Sequence, residues 1–467
     1  MQILRIIQEI LATPALLVGV IVLAGLIIQK KPADHVIKGT ITAVVGFVLL
    51  SVGSEFLKNG ALKDFGELFN YDFHIQGIIP NMEAVTSLGI TKYAAMVSEI
   101  MVLGMLANLI MARFGPFPYI FLTGHHTMYM ACLLTVVLYG SGMKAWEILL
   151  AGSLVLGLVM AWMPALVHEE MKKVTGSSRI ALGHFSVVSY LVAAKVAALV
   201  TKEKKEKSKS TEEIHFSSRL SFMRDSTVGI FIVMTMIFLL LTGIAAWRTD
   251  LLALDISYGS GGYQNWIIYA LMQGALFAVG IYIILAGVRL IIAEIVPAFK
   301  GIAGKIVPHA RPAVDCPVLF SYAPNATMIG FLMSFLGGIV TMLVLVSINA
   351  ISGTSLLPVI VPGVVAHFFC GGSAGVFANA EGGLKGCLIG SFVHGVLISV
   401  LSLVVTPALG GLGLSGTTFS DADFCMVGIV LGYLRKVLPG GGILALCVMA
   451  FVLPIIWEQT KKQKSGE

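Results

Sequence analysis

Apolar runs of about 20 residues recur along almost the whole chain, the length a helix needs to cross roughly 30 Å of hydrocarbon. In that medium every backbone polar group must find its partner internally, so only helices and closed barrels can span it. Barrel strands would be short and alternating, and the runs here are neither. The expected fold class is therefore an all-α polytopic membrane protein. Composition agrees: of 467 residues, 57% are hydrophobic and 12% charged, against about 25% charged in a soluble domain. The mean hydropathy is +0.92.

About eleven spans are expected, near residues 10–29, 39–57, 93–114, 119–139, 148–167, 227–247, 266–296, 327–351, 384–409, 424–438 and 443–457. The first is read as a retained helix, because no small-residue cleavage pattern follows it. Three further stretches, 70–89, 176–200 and 356–383, are apolar but interrupted by Gly, Pro, Asn, His or acidic residues. Broken backbone at membrane depth is tolerated only against protein or a cavity, so these are re-entrant hairpin candidates.

The run "TKEKKEKSKSTEEIHFSSR", within the loop assigned to 201–225, is too polar to bury and reads as a flexible cytoplasmic loop. Lys30, Lys31 and Lys38 follow the first span, and Lys461, Lys462 and Lys464 lie near the C-terminus. Under the positive-inside rule the C-terminus is then cytoplasmic. The net charge of +6 reports topology rather than a nucleic-acid partner. The six cysteines are scattered through apolar segments without metal-ligand spacing and read as packing residues. No phosphate loop, voltage-sensor helix, carbonyl filter or hydrolytic constellation is present. Hence no catalytic residue, metal site or cofactor is expected.

Two short echoes, "PYIFLTGHHTM" with "PVLFSYAPNATM" and "GHF" with "GVF", fall at offsets of about 190 to 200 residues and point to two internal repeats. Ionisable groups inside spans are functional hypotheses by default. The candidates are His125, His126, His184, Asp315, Glu83, Glu99, His367 and His394. His367, His394 and Glu99 stand singly and read as helix-packing polar groups. His125 and His184 each lie beside a glycine in a broken or repeated segment, and Asp315 follows "PHARPAV", where two prolines prevent a regular helix.

The blocks "ATPALLVGVIVLAGLIIQKK", "HVIKGTITAVVGFVLLSVGS", "LTGHH", "DCPVLFSYAPNA" and "GVFANAEGG" together resemble the ascorbate-specific enzyme IIC, the membrane permease subunit of the bacterial phosphoenolpyruvate-dependent phosphotransferase system. The resemblance implies a homodimer in the bacterial inner (cell) membrane. Each protomer would have a V-shaped scaffold (1–60 and 226–300), a substrate-binding core (61–200 and 301–425), and last helices with a cytoplasmic tail (426–467). L-ascorbate or a related sugar would cross by alternating access and be phosphorylated by a separate IIB subunit, with IIA upstream. The family's ligand-holding histidines and aspartate fall on His125, His184 and Asp315. Tyr129 and Phe185 stand where the best-known ascorbate transporter of the family has glutamines, and Met82 and Glu83 where that protein has Thr and Tyr, in an "N-x-E-A" form that resembles other members. The implied substrate-binding set is Met82, Glu83, His125, Tyr129, His184, Phe185 and Asp315. Of the adjacent histidines, about 100° apart on a helix, His125 is expected to face the sugar and His126 to pack.

Two other readings compete. A proton- or sodium-coupled secondary transporter would use the carboxylates and histidines as coupling groups. An intramembrane enzyme would need machinery that the sequence does not display.

Overall fold

The structure is a computed structural model that describes residues 14–73, 77–201, 209–214, 226–248, 265–307, 310–320, 322–353, 357–414 and 416–465. Among these residues seven helices are long and apolar enough to cross a membrane: Lys92–Phe114, Ala145–Thr175, Thr227–Trp247, Trp266–Ile283, Pro324–Ser352, Val364–Gly410 and Gly440–Lys464. The chain is a predominantly helical, multi-pass membrane protein by this measure. Two of the eleven expected spans are shorter in the structure than in the sequence pattern. The stretches 119–139 and 424–438 hold helices of only 16 and 13 residues, Gly124–Tyr139 and Ala422–Leu434. Neither reaches the roughly 20 residues that a crossing needs. The expected span at 10–29 begins outside the described residues, which take up its helix at Pro14–Ile28.

The shortening has one cause, which is that the chain repeatedly breaks into short strands before a helix begins. They are β1 (Gly77–Pro80), β2 (Tyr119–Phe121), β3 (Ala181–Leu182), β4 (Arg311–Val314), β5 (Val359–Ile360) and β6 (Thr417–Thr418). Pro80, Pro116, Pro118, Pro312, Pro358 and Pro362 lie in or beside four of them. Each removes a backbone donor and stops a helix from running through. Gly176 and Gly416, in left-handed conformation at φ 68° and 73°, turn the chain ahead of β3 and β6. The three expected re-entrant stretches contain β1, β3 and β5. The prolines before Asp315 marked the break at β4, while the sequence pattern did not mark β2 and β6 as breaks.

The strands form two parallel three-stranded sheets, ordered β5-β1-β6 and β2-β4-β3. The bonds Asn81 N–H to Thr418 O (3.0 Å), Val361 N–H to Ile78 O (2.9 Å), Leu122 N–H to Ala313 O (2.9 Å) and Gly183 N–H to Val314 O (2.7 Å) occupy backbone groups the broken helices leave open. In each sheet the middle strand comes from one half of the chain and its two neighbours from the other half. The strand starts at 77, 119 and 181 recur at 311, 359 and 417, spacings of 234, 240 and 236 residues. The short echoes at 190 to 200 do not coincide with this spacing. They align β2 with the segment just after β4, its neighbour in the sheet.

Helices Pro14–Ile28, Ala33–Leu57, Ser226–Arg248 and Trp266–Ile306 pack on one another. Helix Gly372–Val405 packs on Val187–Thr201 and Pro324–Ser352, while Met82–Phe114 packs on Gly124–Tyr139 and Ala145–Thr175. Most of the charge-rich loop lies outside the described residues. Its described part, 209–214, docks: Glu212 Oε1 accepts the Ala326 N–H at 2.9 Å, at the start of helix Pro324–Ser352.

Candidate functional site

Every strand hands over to residues that line one cavity of about 540 Å³. Met82 and Glu83 follow β1, Thr123 to His126 follow β2, and His184 follows β3. Val314 to Cys316 end β4, Val365 and Ala366 follow β5, and Ser420 and Asp421 follow β6. Close backbone approach makes this convergence work at Gly183, where a Cβ would lie 2.5 Å from the Ala313 carbonyl oxygen of β4. Gly363 meets the Pro80 carbonyl oxygen of β1 in the same way. Helices Met82–Phe114, Gly124–Tyr139, Val187–Thr201 and Ala422–Leu434 thus point their N-termini, the positive ends of their dipoles, towards one place.

The His125 imidazole Nε2 lies 3.4 Å from Asp315 Oδ2, and Asp315 Oδ1 accepts the Cys316 N–H at 2.7 Å. His184 is held through Nδ1 by the Tyr190 hydroxyl at 3.0 Å, which leaves its Nε2 for the cavity. The rings of His126 and His184 are 4.0 Å apart, and Tyr129 stands edge-on to His125 at 5.8 Å. Asn81 caps the helix bearing Glu83, its side chain accepting the Ala84 N–H at 2.8 Å. Three polar atoms at the cavity are buried with no hydrogen-bond partner: Glu83 Oε2, His126 Nδ1 and Tyr129 Oη. Their residues are only 7%, 4% and 2% exposed. Buried polar atoms are nearly always paired, so three orphans around one cavity point to something that occupies it.

Of the seven residues drawn from sequence, six line this cavity: Met82, Glu83, His125, Tyr129, His184 and Asp315. Phe185 does not. Its ring is fully buried, stacked on Phe121 at 4.6 Å and edge-on to Phe424 at 5.3 Å. Its neighbour His184 takes the cavity side, and Phe185 turns into the aromatic packing behind. His126, expected to pack, borders the cavity beside His125. At the first turn of a helix the cavity wraps around the end, so side chains 100° apart both reach it.

Residues 9–423 match the family EIIC-GAT, the PTS system sugar-specific permease component. The chain belongs to this family. It is also 26% identical over 441 residues to the ascorbate-specific PTS system EIIC component of Mycoplasma pneumoniae, an alignment that covers 86% of this chain and 66%, just under two thirds, of that protein.

The permease cavity also holds groups that sequence reasoning passed over: Ser420, Asp421, Arg289, Cys316 and Cys370. Asp421 sits in "SDAD" at the head of an apolar helix, and Arg289 is the only basic residue between Trp266 and Phe299. A charge in an apolar span was signal enough to find both. Asp423, two residues on, instead holds a helix end, since its carboxylate accepts the Val187 and Val188 N–H groups at 2.8 and 3.0 Å. Among the described residues three donor sets lie within 4.8 Å of one another and can hold a metal ion: His125 with His126 and Asp315, His126 with His184 and Asp421, and His184 with Asp315 and Cys316. The same imidazole and carboxylate atoms are the donors and acceptors that sugar hydroxyls require.

Proposed function

We propose that this protein carries L-ascorbate, or a closely related sugar acid or polyol, across the bacterial inner membrane by alternating access, for phosphorylation by a separate IIB subunit supplied through IIA. His125, His184, Asp315, Tyr129, Met82 and Glu83 bind the ligand, with His126 beside them and Phe185 backing the pocket as an aromatic wall. The observation that carries this reading is the set of three unpartnered buried polar atoms around a 540 Å³ cavity. The volume suits a small sugar, and each orphan gains a partner when a hydroxyl arrives. The matching strand spacings support two duplicated halves with the site at their junction near mid-membrane, the usual transporter plan. The helices packed around Trp266–Ile306 then form the V-shaped scaffold, and the strand-bearing elements form the core. The unit is a homodimer with a cytoplasmic C-terminus.

Three cavity carboxylates, Glu83, Asp315 and Asp421, favour one second reading, a transporter coupled to protons or sodium. Uptake into vesicles separates the two. The phosphotransferase permease continues to accumulate sugar phosphate when ion gradients are collapsed and phosphoenolpyruvate with the soluble components is present. Uptake that stops with the gradient favours the second reading. Thermal shift of purified protein against ascorbate, pentitols and hexitols names the ligand, since binding to the folded state alone raises stability.

A further inference from the structure

We propose that Arg289 is the residue that selects an anionic ligand in this cavity. The inference rests on the sugar-permease reading above and deepens it to a substrate class, a sugar carrying one negative charge.

Arg289 interrupts the apolar helix Trp266–Ile306, where a guanidinium facing lipid would be costly. It is exposed, and it lines the cavity. No described residue pairs or hydrogen-bonds with it. Its helix packs chiefly on Ala33–Leu57 and Ser226–Arg248, so Arg289 comes to the cavity from outside the strand-bearing elements. Among the described residues that line the cavity it is the one permanent cation, alongside the carboxylates of Glu83, Asp315 and Asp421. Asp315 is engaged by His125 at 3.4 Å, and Asp421 accepts the Ser420 hydroxyl at 2.7 Å. An anion entering among three carboxylates needs a fixed positive charge, and imidazoles give one only when protonated. Arginine gives it at every physiological pH, with a planar fork of donors that fits two adjacent oxygens. Ascorbate, a monoanion at neutral pH with its charge spread over neighbouring enediol oxygens, has that form. Its oxidised form, dehydroascorbate, has nearly the same frame and no charge.

Binding by thermal shift and calorimetry on the full chain in detergent tests this, using ascorbate against fresh dehydroascorbate and xylonate against xylitol. Arg289→Gln should weaken binding of the anion by roughly 10-fold or more, the scale of a lost charge-assisted hydrogen bond, and leave the neutral partner nearly unchanged. Arg289→Lys, which keeps the charge and loses the fork, should fall between. A monodisperse Arg289→Gln protein with unchanged anion affinity overturns the proposal, as does an equal loss for both members of a pair. A wild-type protein that prefers the neutral members overturns it too. If ascorbate fails to bind but xylonate still outcompetes xylitol, the ascorbate reading falls and the role of Arg289 stands, read on that pair.

Discussion

The unbroken helices and the six interrupted segments are built from similarly apolar sequence, yet the second group supplies most of the polar cavity, to which the unbroken helix Trp266–Ile306 adds Arg289. Helix Ala145–Thr175 runs for 31 residues without a break, although Pro164 withholds one backbone donor. Its side chains meet neighbouring helices, the surroundings and the backs of the strands, where His168 Nε2 lies 3.1 Å from the Arg311 guanidinium of β4, and none lines the cavity. Each interrupted segment instead stops, pairs as a strand, and restarts as a helix, with the link or the first helical turn at the cavity. An ionisable residue in a span is therefore a weak indicator by itself. The same residue just after a break is a strong one, because the break supplies both the space and the oriented helix end.

The largest effect should follow from disturbing that restart. Gly183→Ala places a methyl group 2.5 Å from the Ala313 carbonyl oxygen and 2.8 Å from its carbon, backbone atoms that cannot move without parting β3 from β4. Overpacking of this kind costs typically about 1–3 kcal/mol, and here it displaces His184 and Asp315 together. Ligand-induced stabilisation should vanish and the melting temperature should fall. Gly152→Ala in the unbroken helix Ala145–Thr175 meets only the Ile100 side chain, at 2.6 Å from its far end, Cδ1, which can rotate aside. It should cost less and keep ligand binding. Equal losses in both measurements for the two variants would remove the distinction between the two kinds of segment.

A smaller effect, on affinity alone, should separate acids by position. Asp315→Asn keeps an oxygen to accept the Cys316 N–H but removes the charge facing His125, and His125→Ala removes the other partner. Each should weaken ligand binding by roughly 10- to 150-fold, the equivalent of about 1.5–3 kcal/mol for a charged hydrogen bond. Glu99 is exposed on the same helix as Glu83 but lies outside the cavity, so Glu99→Gln should leave affinity unchanged. Titration calorimetry of the three variants would sink the assignment if the losses were small and alike.

Apolar runs made the helices legible, because hydrophobic length is a local property. His125, His184 and Asp315 were legible for the same reason, as polar groups next to glycine or proline in apolar surroundings. The segments at 119–121 and 417–418 were not, since two or three residues of β structure carry no periodicity and depend on partners more than 170 residues away. Phe185 shows what a pattern of residue types leaves open. Sequence neighbours on a short non-helical link point opposite ways, and only packing against Phe121 and Phe424 decides which one faces the cavity.

The smallest expected effects concern two hydroxyls, one without a partner and one with two. Ser334 Oγ lies 2.8 Å from His367 Nδ1 and 2.9 Å from His394 Nδ1, away from the cavity, so these histidines sit in a structural cluster. Ser334→Ala strips both imidazoles of that bond. It should lower stability by about 1–3 kcal/mol, the cost of leaving buried groups unsatisfied, and leave ligand affinity alone. Tyr129 Oη has no hydrogen-bond partner among the described residues, so Tyr129→Phe removes a buried polar atom that none of them satisfies. Its melting temperature should hold or rise. Its affinity should drop by about 2- to 10-fold, since a neutral hydrogen bond contributes about 0.5–1.5 kcal/mol. The two variants thus move stability and affinity in opposite patterns. If Tyr129→Phe instead destabilised the protein while binding stayed intact, the hydroxyl would be structural, and the cavity would lose one of the three orphaned groups on which its assignment rests.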